Sequence, residues 1–313
     1  MSRSRNNGNS PDEHDEEIAD LVPFATKSCL EPRKTLGLFT TTFRAILDAE
    51  DLQEHIQSVK KALYHRDYLL AFDTDDKRLA YAARWTPART LAYASLFSSF
   101  APIRELFSDP ERTSRCLSIG GGAGAEVAGL ASVFCRLKEF HSTSPSSLEI
   151  TAIDIADWSL IVRSLTTYIK SNWVYDASKV STSFLHGDVL STPVDYSQFD
   201  LITLMFTTNE LFSEKRPETI KLLQTLNKTC RKGTILLIAE SAGSYSNITV
   251  GTKQFPVQFL VDMVLVGKPG GPAGAWSIAQ QSESCWYRIN TREVSYPMKL
   301  ENMRFFYRLY IKN

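Results

Sequence analysis

The segment Cys116-Leu117-Ser118-Ile119-Gly120-Gly121-Gly122-Ala123-Gly124-Ala125-Glu126 constrains the fold of this chain more than any other. A short apolar run enters a glycine-rich turn and leaves into small residues at helical spacing, Ala125, Ala128, Gly129 and Ala131. Glycine is needed where backbone passes close to a ligand without Cβ interference, at φ values other residues avoid. Between a strand and a helix, such a turn cradles a nucleoside-bearing cofactor at the C-terminal edge of a sheet. Gly120, Gly121, Gly122 and Gly124 are therefore candidate cofactor-binding residues.

The sequence around the turn has matching grammar. After Asp109-Pro110, short apolar, β-branched runs fall at Cys116–Ile119, Leu148–Ile153, Thr182–Leu185, Phe199–Phe206 and Thr234–Ala239. Helical patterns lie between them at about 124–138, 156–174 and 214–231. This alternation predicts an α/β domain over residues 111–313, a parallel sheet with helices on both faces. Two more strands are expected at Cys285–Asn290 and Phe305–Ile311, the second with the aromatic density of an antiparallel hairpin strand. Upstream, Phe43, Ile46, Leu47, Ile56, Val59, Leu63, Leu91, Leu96 and Phe97 recur at helical spacing, so residues 21–110 read as a helical N-terminal extension. Pro87 marks a position where one of its helices would begin. Residues 1–20 read as a disordered acidic tail, with Arg3 and Arg5 against six acids.

Charge and cysteine usage narrow the functional classes. The whole chain is neutral, so that tail, at net −4, leaves +4 on the rest. This permits nucleic-acid contact without the basic stripe that would announce it. No uncharged apolar run reaches the length of a membrane span, about 18 residues. The five cysteines are scattered and form no CxxC pair, and the five histidines are equally dispersed, so no metal site is expected. A reducing compartment, cytoplasm or nucleus, is the default for such a chain. The sequence fixes no oligomeric state.

Two acids extend the glycine turn into a constellation. Asp154 closes the second strand, where a carboxylate accepts hydrogen bonds from both ribose hydroxyls. Asp188, with Val189 beside it, follows the third strand. Each Asp alone reads equally well as a helix N-cap; the set behind one glycine turn is the stronger signal. A rival exists, because Gly120, Gly122 and Ala125 also fit the GxGxxG/A pattern of dinucleotide enzymes, and Tyr175 and Lys179 form a YxxxK. In short-chain dehydrogenases that pair follows later strands, whereas here it falls between the second and third.

The layout of five parallel strands and a terminal hairpin resembles the Rossmann-like, seven-stranded methyltransferase fold. Tyr81–Arg89 (YAARWTPAR), Leu117–Glu126 (LSIGGGAGAE), Phe206–Leu211 (FTTNEL), Glu240–Ser246 (ESAGSYS) and Tyr296–Arg304 (YPMKLENMR) together resemble a fungal family of such methyltransferases. The family includes enzymes that methylate the imide nitrogen of a uridine in 25S ribosomal RNA.

The resemblance implies S-adenosylmethionine as cofactor, with Asp188 reading the adenine amino group. It implies ribosomal RNA or a preribosomal particle as partner, in the cytoplasm, nucleus or nucleolus. Neutral net charge suits a substrate embedded in a preribosome better than free RNA. Thr207, Asn209 and Glu210 lie on the loop after the fourth strand, which in this fold faces the methyl group and the acceptor. Thr207 is expected at the cofactor, and Asn209 and Glu210 at the acceptor, with Glu210 as the candidate base; the alternative is that the last two cap the next helix. The loop is not the Asn/Asp-Pro-Pro-Tyr type, and no cysteine is placed as a nucleophile, so a nitrogen or oxygen acceptor attacked in line is expected. Upstream, Tyr81–Arg89 is expected to fold its cations and aromatics over the cofactor, with Arg84 pairing with the cofactor carboxylate and Trp85 packing. A small-molecule or protein acceptor, or a scaffold that binds without catalysing, are the competing readings.

Overall fold

A computed structural model describes residues 20–139, 144–243, 247–250 and 253–313. The expected tail therefore lies outside the described residues, apart from Asp20, as do Ser244, Tyr245 and Ser246 of the ESAGSYS segment. Among the described residues no helix is long and apolar enough to cross a membrane.

Five parallel strands carry the turn and the acids: β2 (Thr113–Ile119), β3 (Ser147–Asp154), β4 (Val180–His186), β5 (Leu201–Met205) and β6 (Ile235–Ser241). Two long strands, β9 (Trp276–Tyr287) and β10 (Met303–Lys312), complete the sheet, with β10 antiparallel to both β6 and β9. The strand order is β1-β9-β10-β6-β5-β2-β3-β4, where β1 is Asp20–Val22. The sheet thus has eight strands instead of the expected seven, because β1 adds in parallel to the edge strand β9. Alternation along each strand divides the interior in two. On β2, Cys116 joins the first core and Leu117 the second, on opposite faces. All five residues of the central strand β5 are buried.

The first core is shared with the N-terminal extension. Helices α1 (Pro32–Thr42), α2 (Arg44–Leu47), α3 (Leu52–Tyr64), α4 (Tyr68–Ala71), α5 (Asp75–Ser99) and α6 (Ala101–Ser108) precede the sheet's first parallel strand. Phe39, Tyr93, Phe97 and Phe107 from these helices meet Leu130, Phe134, Leu148 and Ile150 in one cluster. Helix α7 (Ala125–Lys138) lies directly against α5. A Cβ on its Gly129 would sit 3.3 Å from the Tyr93 Cβ and 3.4 Å from the Ala94 amide, so the two helices meet backbone to backbone at that point.

Pro87 does not begin a helix; it lies inside the 25-residue α5, which starts at Asp75 behind a Thr74 cap. Proline removes the N–H that would have bonded the Ala83 carbonyl. The Tyr296 hydroxyl takes over that role, donating to the Ala83 carbonyl oxygen at 2.8 Å. The helical stretch expected at 156–174 is α8 (Ser159–Asn172). The one expected at 214–231 is α10 (Arg216–Thr229), and a further short helix, α9 (Thr208–Glu214), precedes it. Strand β9 begins nine residues before the expected strand, because its middle, Gln280-Gln281-Ser282-Glu283-Ser284, is polar and mostly exposed on an outer part of the sheet. The β7 (Asn247–Val250) and β8 (Lys253–Pro256) pair and helix α11 (Val257–Leu265) follow β6 and were not legible as strands or helix.

Candidate active site

The C-terminal ends of β2 to β5 converge on a cavity of about 540 Å³. Gly120, Gly121, Gly122, Asp154, Asp188, Val189, Thr207 and Glu210, expected from sequence to lie together, all line it. Gly120, Gly122 and Gly124 have φ of +69°, +43° and +79°. At Gly120 a side chain is excluded twice over, by that backbone conformation and because a Cβ would collide with the Thr207 side chain. Gly124 caps the N-terminus of α7 beneath the cavity.

Asp154 pins the turn to β3. Its Oδ2 accepts from the Gly122 amide at 2.9 Å and its Oδ1 from the Ala156 amide at 3.0 Å. Burial raises its pKa above the usual carboxylate range, and those amides restrain the rise. These two amides take two of the four lone pairs of the carboxylate, and the Trp158 side chain and the Ile155 amide also act to lower its pKa. Asp188 accepts from the Leu190 amide at 2.9 Å and pairs with Lys215 at 2.6 Å. Burial acts against its charge, but Lys215 and that amide hold its pKa below the usual value.

The opposite wall comes from the extension, where the Tyr81–Arg89 segment was expected to fold over the cofactor; Tyr68, Tyr93 and Trp158 were not singled out from the sequence. Tyr68 on α4 and Tyr81, Arg89 and Tyr93 on α5 face the turn, and Trp158 after β3 closes the side. Phe72, Tyr81 and Trp158 form one aromatic cluster, with ring centroids 4.8 to 5.5 Å apart. Arg89 donates to the Tyr81 hydroxyl and lies over that ring, 5.4 Å from its centroid. Burial opposes its charge, yet Tyr81, Tyr93 and Glu126 raise its pKa above the ordinary arginine value. It has no carboxylate within salt-bridge distance among the described residues, so its charge is available to a ligand.

The acids concentrate on the inner end. Glu126, only 3% exposed in the first turn of α7, has its pKa pushed up to about 8 by burial. Glu210, in the first turn of α9, is also pushed up to about 8, first by burial and then by Glu240 and Asp154. The Tyr68 hydroxyl hydrogen-bonds Glu210. Before α9 comes Phe206 with φ +61°, a rare conformation for an aromatic residue. Its ring is held between Tyr93 and Phe305, with centroids 6.3 and 6.1 Å away. This turn directs Thr207 at the glycine loop and brings Glu210 to the cavity.

Three expected residues do not line the cavity: Gly124, which caps α7 beneath it, Asn209 and Arg84. Asn209 lies behind the cavity, its amide donating to Glu240 Oε2 at 3.0 Å. Arg84 is 7% exposed and turned away, donating to Glu301 Oε1 at 2.6 Å and to the Lys299 carbonyl at 2.8 Å. Arg84 and Arg89 are five residues apart, about 140° around a helix, so one axis cannot present both to the same ligand. The Arg84–Glu301 and Tyr296–Ala83 contacts dock the 81–89 and 296–304 segments onto each other. Tyr175 is 74% exposed and precedes β4, at the end of the sheet away from the cavity, which removes the dehydrogenase reading of the YxxxK. Among the described residues no three His, Cys, Asp or Glu side chains are grouped to hold a metal.

A glycine cradle after the first parallel strand, acids after the next two, and a hairpin closing the sheet define a cofactor-binding α/β protein of the methyltransferase fold. Residues 39–311 match the family described as "Putative SAM-dependent methyltransferase", and the chain belongs to that family. It is 45% identical, over 324 aligned residues, to the 25S rRNA (uridine(2843)-N(3))-methyltransferase of Saccharomyces cerevisiae, covering 93% of this chain and 88% of that protein. Among solved structures it is similar to the N-methyltransferase NodS of Bradyrhizobium japonicum in complex with S-adenosyl-L-homocysteine. That match has 15% identity, 82% of this chain, 98% of that chain and a TM-score of 0.39. A SAM-dependent methyltransferase of Methanosarcina mazei matches at 16% identity, 64% of this chain, 93% of that chain and a TM-score of 0.40.

Proposed function

We propose that this protein methylates N3 of a uridine in large-subunit ribosomal RNA, using S-adenosylmethionine. The observation that carries the reading is the 45% identity, over nearly the whole chain, to the yeast enzyme of that name. The cavity fits the cofactor: the Gly120 to Gly122 backbone leaves room that a Cβ would fill, and Asp154 lines it at the end of β3. In this reading Gly120–Gly122, Gly124 and Thr207 shape the cradle, Asp154 holds the ribose, and Asp188 and Val189 meet the adenine. Arg89, rather than Arg84, faces the cofactor carboxylate. When bound, the cofactor supplies an electrophilic methyl group on a sulfonium.

The acceptor side needs a base. The imide proton of uridine has a pKa well above neutrality, so its removal assists attack, and a general base performs best when its own pKa lies near the working pH. Glu210, with its pKa pushed up to about 8, meets that condition on the loop after β5. Its carboxylate takes the N3 proton, leaving the nitrogen electron pair for in-line displacement, while the Tyr68 hydroxyl orients the carboxyl group. Asn209 acts at one remove, its amide fixing Glu240 beneath the same loop.

Nucleoside mass spectrometry of large-subunit ribosomal RNA, from cells with and without the gene, tests the reading. Loss of 3-methyluridine that wild type restores, and Asp154→Ala does not, is the expected result. An unchanged 3-methyluridine content removes ribosomal RNA as the acceptor.

A further inference from the structure

At the same C-terminal edge of the sheet as the cavity, on the face that carries Glu240, three residues outside the catalytic machinery form a continuous cationic and aromatic surface. Trp286 on β9 pairs directly with Arg304 on β10 and, on its other side, with Leu21 on β1. Directly paired residues project from the same face. Arg288 lies over the Trp286 ring at 4.5 Å and Arg304 at 5.8 Å, so two guanidinium groups lie close to one indole. Both arginines are exposed, Trp286 is half-buried, and Leu21 is 63% exposed. The contrast with Arg308, two strand repeats further along β10, is informative. Arg308 is 4% exposed and spent on Asp262 and Glu283, as an arginine with a structural role should be. Arg304 instead donates one bond, from Nε to the Ser284 hydroxyl at 2.8 Å, and neither it nor Arg288 pairs with a carboxylate among the described residues.

The position matters as much as the chemistry. Strands β9 and β6 run the same way, so Trp286 and Arg288 come at the C-terminal edge, where the cavity opens. Phe306 pairs with Glu240, and Arg304 is two residues further toward that edge. From strand geometry, Arg304 lies roughly 8 Å from Glu240, Cα to Cα. Glu240 in turn holds the amide that precedes Glu210.

We infer that the Trp286–Arg288–Arg304 surface docks single-stranded RNA flanking the acceptor nucleotide, stacking one base and neutralising adjacent phosphates. Unpaired bases are read by stacking on aromatic rings and guanidinium planes, and a flipped target leaves its neighbours to be held outside the pocket. The surface answers a difficulty raised by composition: a chain with zero net charge grips RNA through a local pair of uncompensated arginines instead of a basic stripe. The inference rests on the proposed RNA acceptor.

The test is fluorescence anisotropy with a labelled, uridine-containing single-stranded RNA of large-subunit sequence, from about 50 to 200 mM salt. Calorimetry of S-adenosylmethionine runs in parallel. R288Q/R304Q is expected to bind the RNA at least roughly tenfold more weakly, and the log–log salt slope to fall by about 1.4, for two phosphate contacts on a single strand. W286A should lose roughly tenfold and W286F should keep most of the affinity, because the ring persists. Cofactor affinity stays unchanged in all three, which shows that each variant is folded. If wild type binds the RNA and the variants match it in affinity and slope, the docking surface is overturned while the RNA reading stands. If wild type itself does not bind, the docking surface is overturned, and the acceptor is decided by the nucleoside mass spectrometry.

Discussion

One wall of the cavity is backbone: Gly120, Gly121 and Gly122, with single carboxylates from Asp154 and Asp188 at the strand ends. The facing wall is side chain: Tyr68, Tyr81, Arg89 and Tyr93 from α4 and α5, with Glu210 entering from below. The backbone wall is shaped by local φ angles and by the register of β2, β3 and β4. The side-chain wall exists only because α5 packs over α7 across the first core. The difference assigns work. In the proposed reading the glycine cradle, with Arg89 across from it, serves the cofactor that is the same in every turnover, and the aromatic side chains with Glu210 serve the acceptor and its proton.

The sharpest way to break that division is at Glu210. Glu210→Gln should lower the methyl-transfer rate roughly 10²- to 10⁴-fold, the range of a lost general base, and leave cofactor affinity unchanged. The pH dependence carries a sign. The carboxylate is the active form, so the wild-type rate should rise as pH passes through about 8, where burial has placed the group. A rising limb that persists in Glu210→Gln would place the base elsewhere.

Next comes the cradle itself. Gly120→Ala adds a left-handed strain of about 1–2 kcal/mol and a collision with Thr207. Cofactor affinity by calorimetry should fall roughly 30- to 100-fold. A Kd within threefold of wild type would mean that the turn does not have to keep its shape.

The smallest effects separate two arginines on one helix. Arg89→Gln should weaken cofactor binding roughly tenfold, for the loss of one charge-assisted contact. Arg84→Gln should leave that affinity alone and lower Tm by a few degrees. It loses a bond to Lys299 and an ion pair whose partner, Glu301, is about half-exposed, together about 1–2 kcal/mol. The opposite pattern would return Arg84 to the cofactor and turn the side-chain wall around.

The same division separates what could be read in advance. Gly120, Asp154, Asp188 and Thr207 were legible because each sits at the end of a short apolar run, and a parallel sheet brings such ends to one edge. Glu210 was legible for that reason too. Glu126 lay inside the glycine motif with no sequence feature to single it out; only its burial marks it. Arg89 stood beside Arg84 in one cationic segment, and no sequence feature said which faced inward. Phe206 looked like the last residue of a strand, and its positive φ is invisible without the rings of Tyr93 and Phe305 that hold it. Strand β9 was misplaced because its polar middle lacks the apolar signal of a buried strand.

What the sequence determined by itself is therefore the sheet, its glycine turn and the acids along its edge. These follow from patterns a few residues long, set by strand alternation and by the φ angles that glycine alone adopts freely. Tertiary structure decided which face of α5 looks into the cavity, that the Ala83 carbonyl freed by Pro87 is satisfied by Tyr296, and that Arg288 and Arg304 gather at Trp286. Each of these depends on residues brought together from distant positions or from separate strands, and packing, not local preference, sets their geometry.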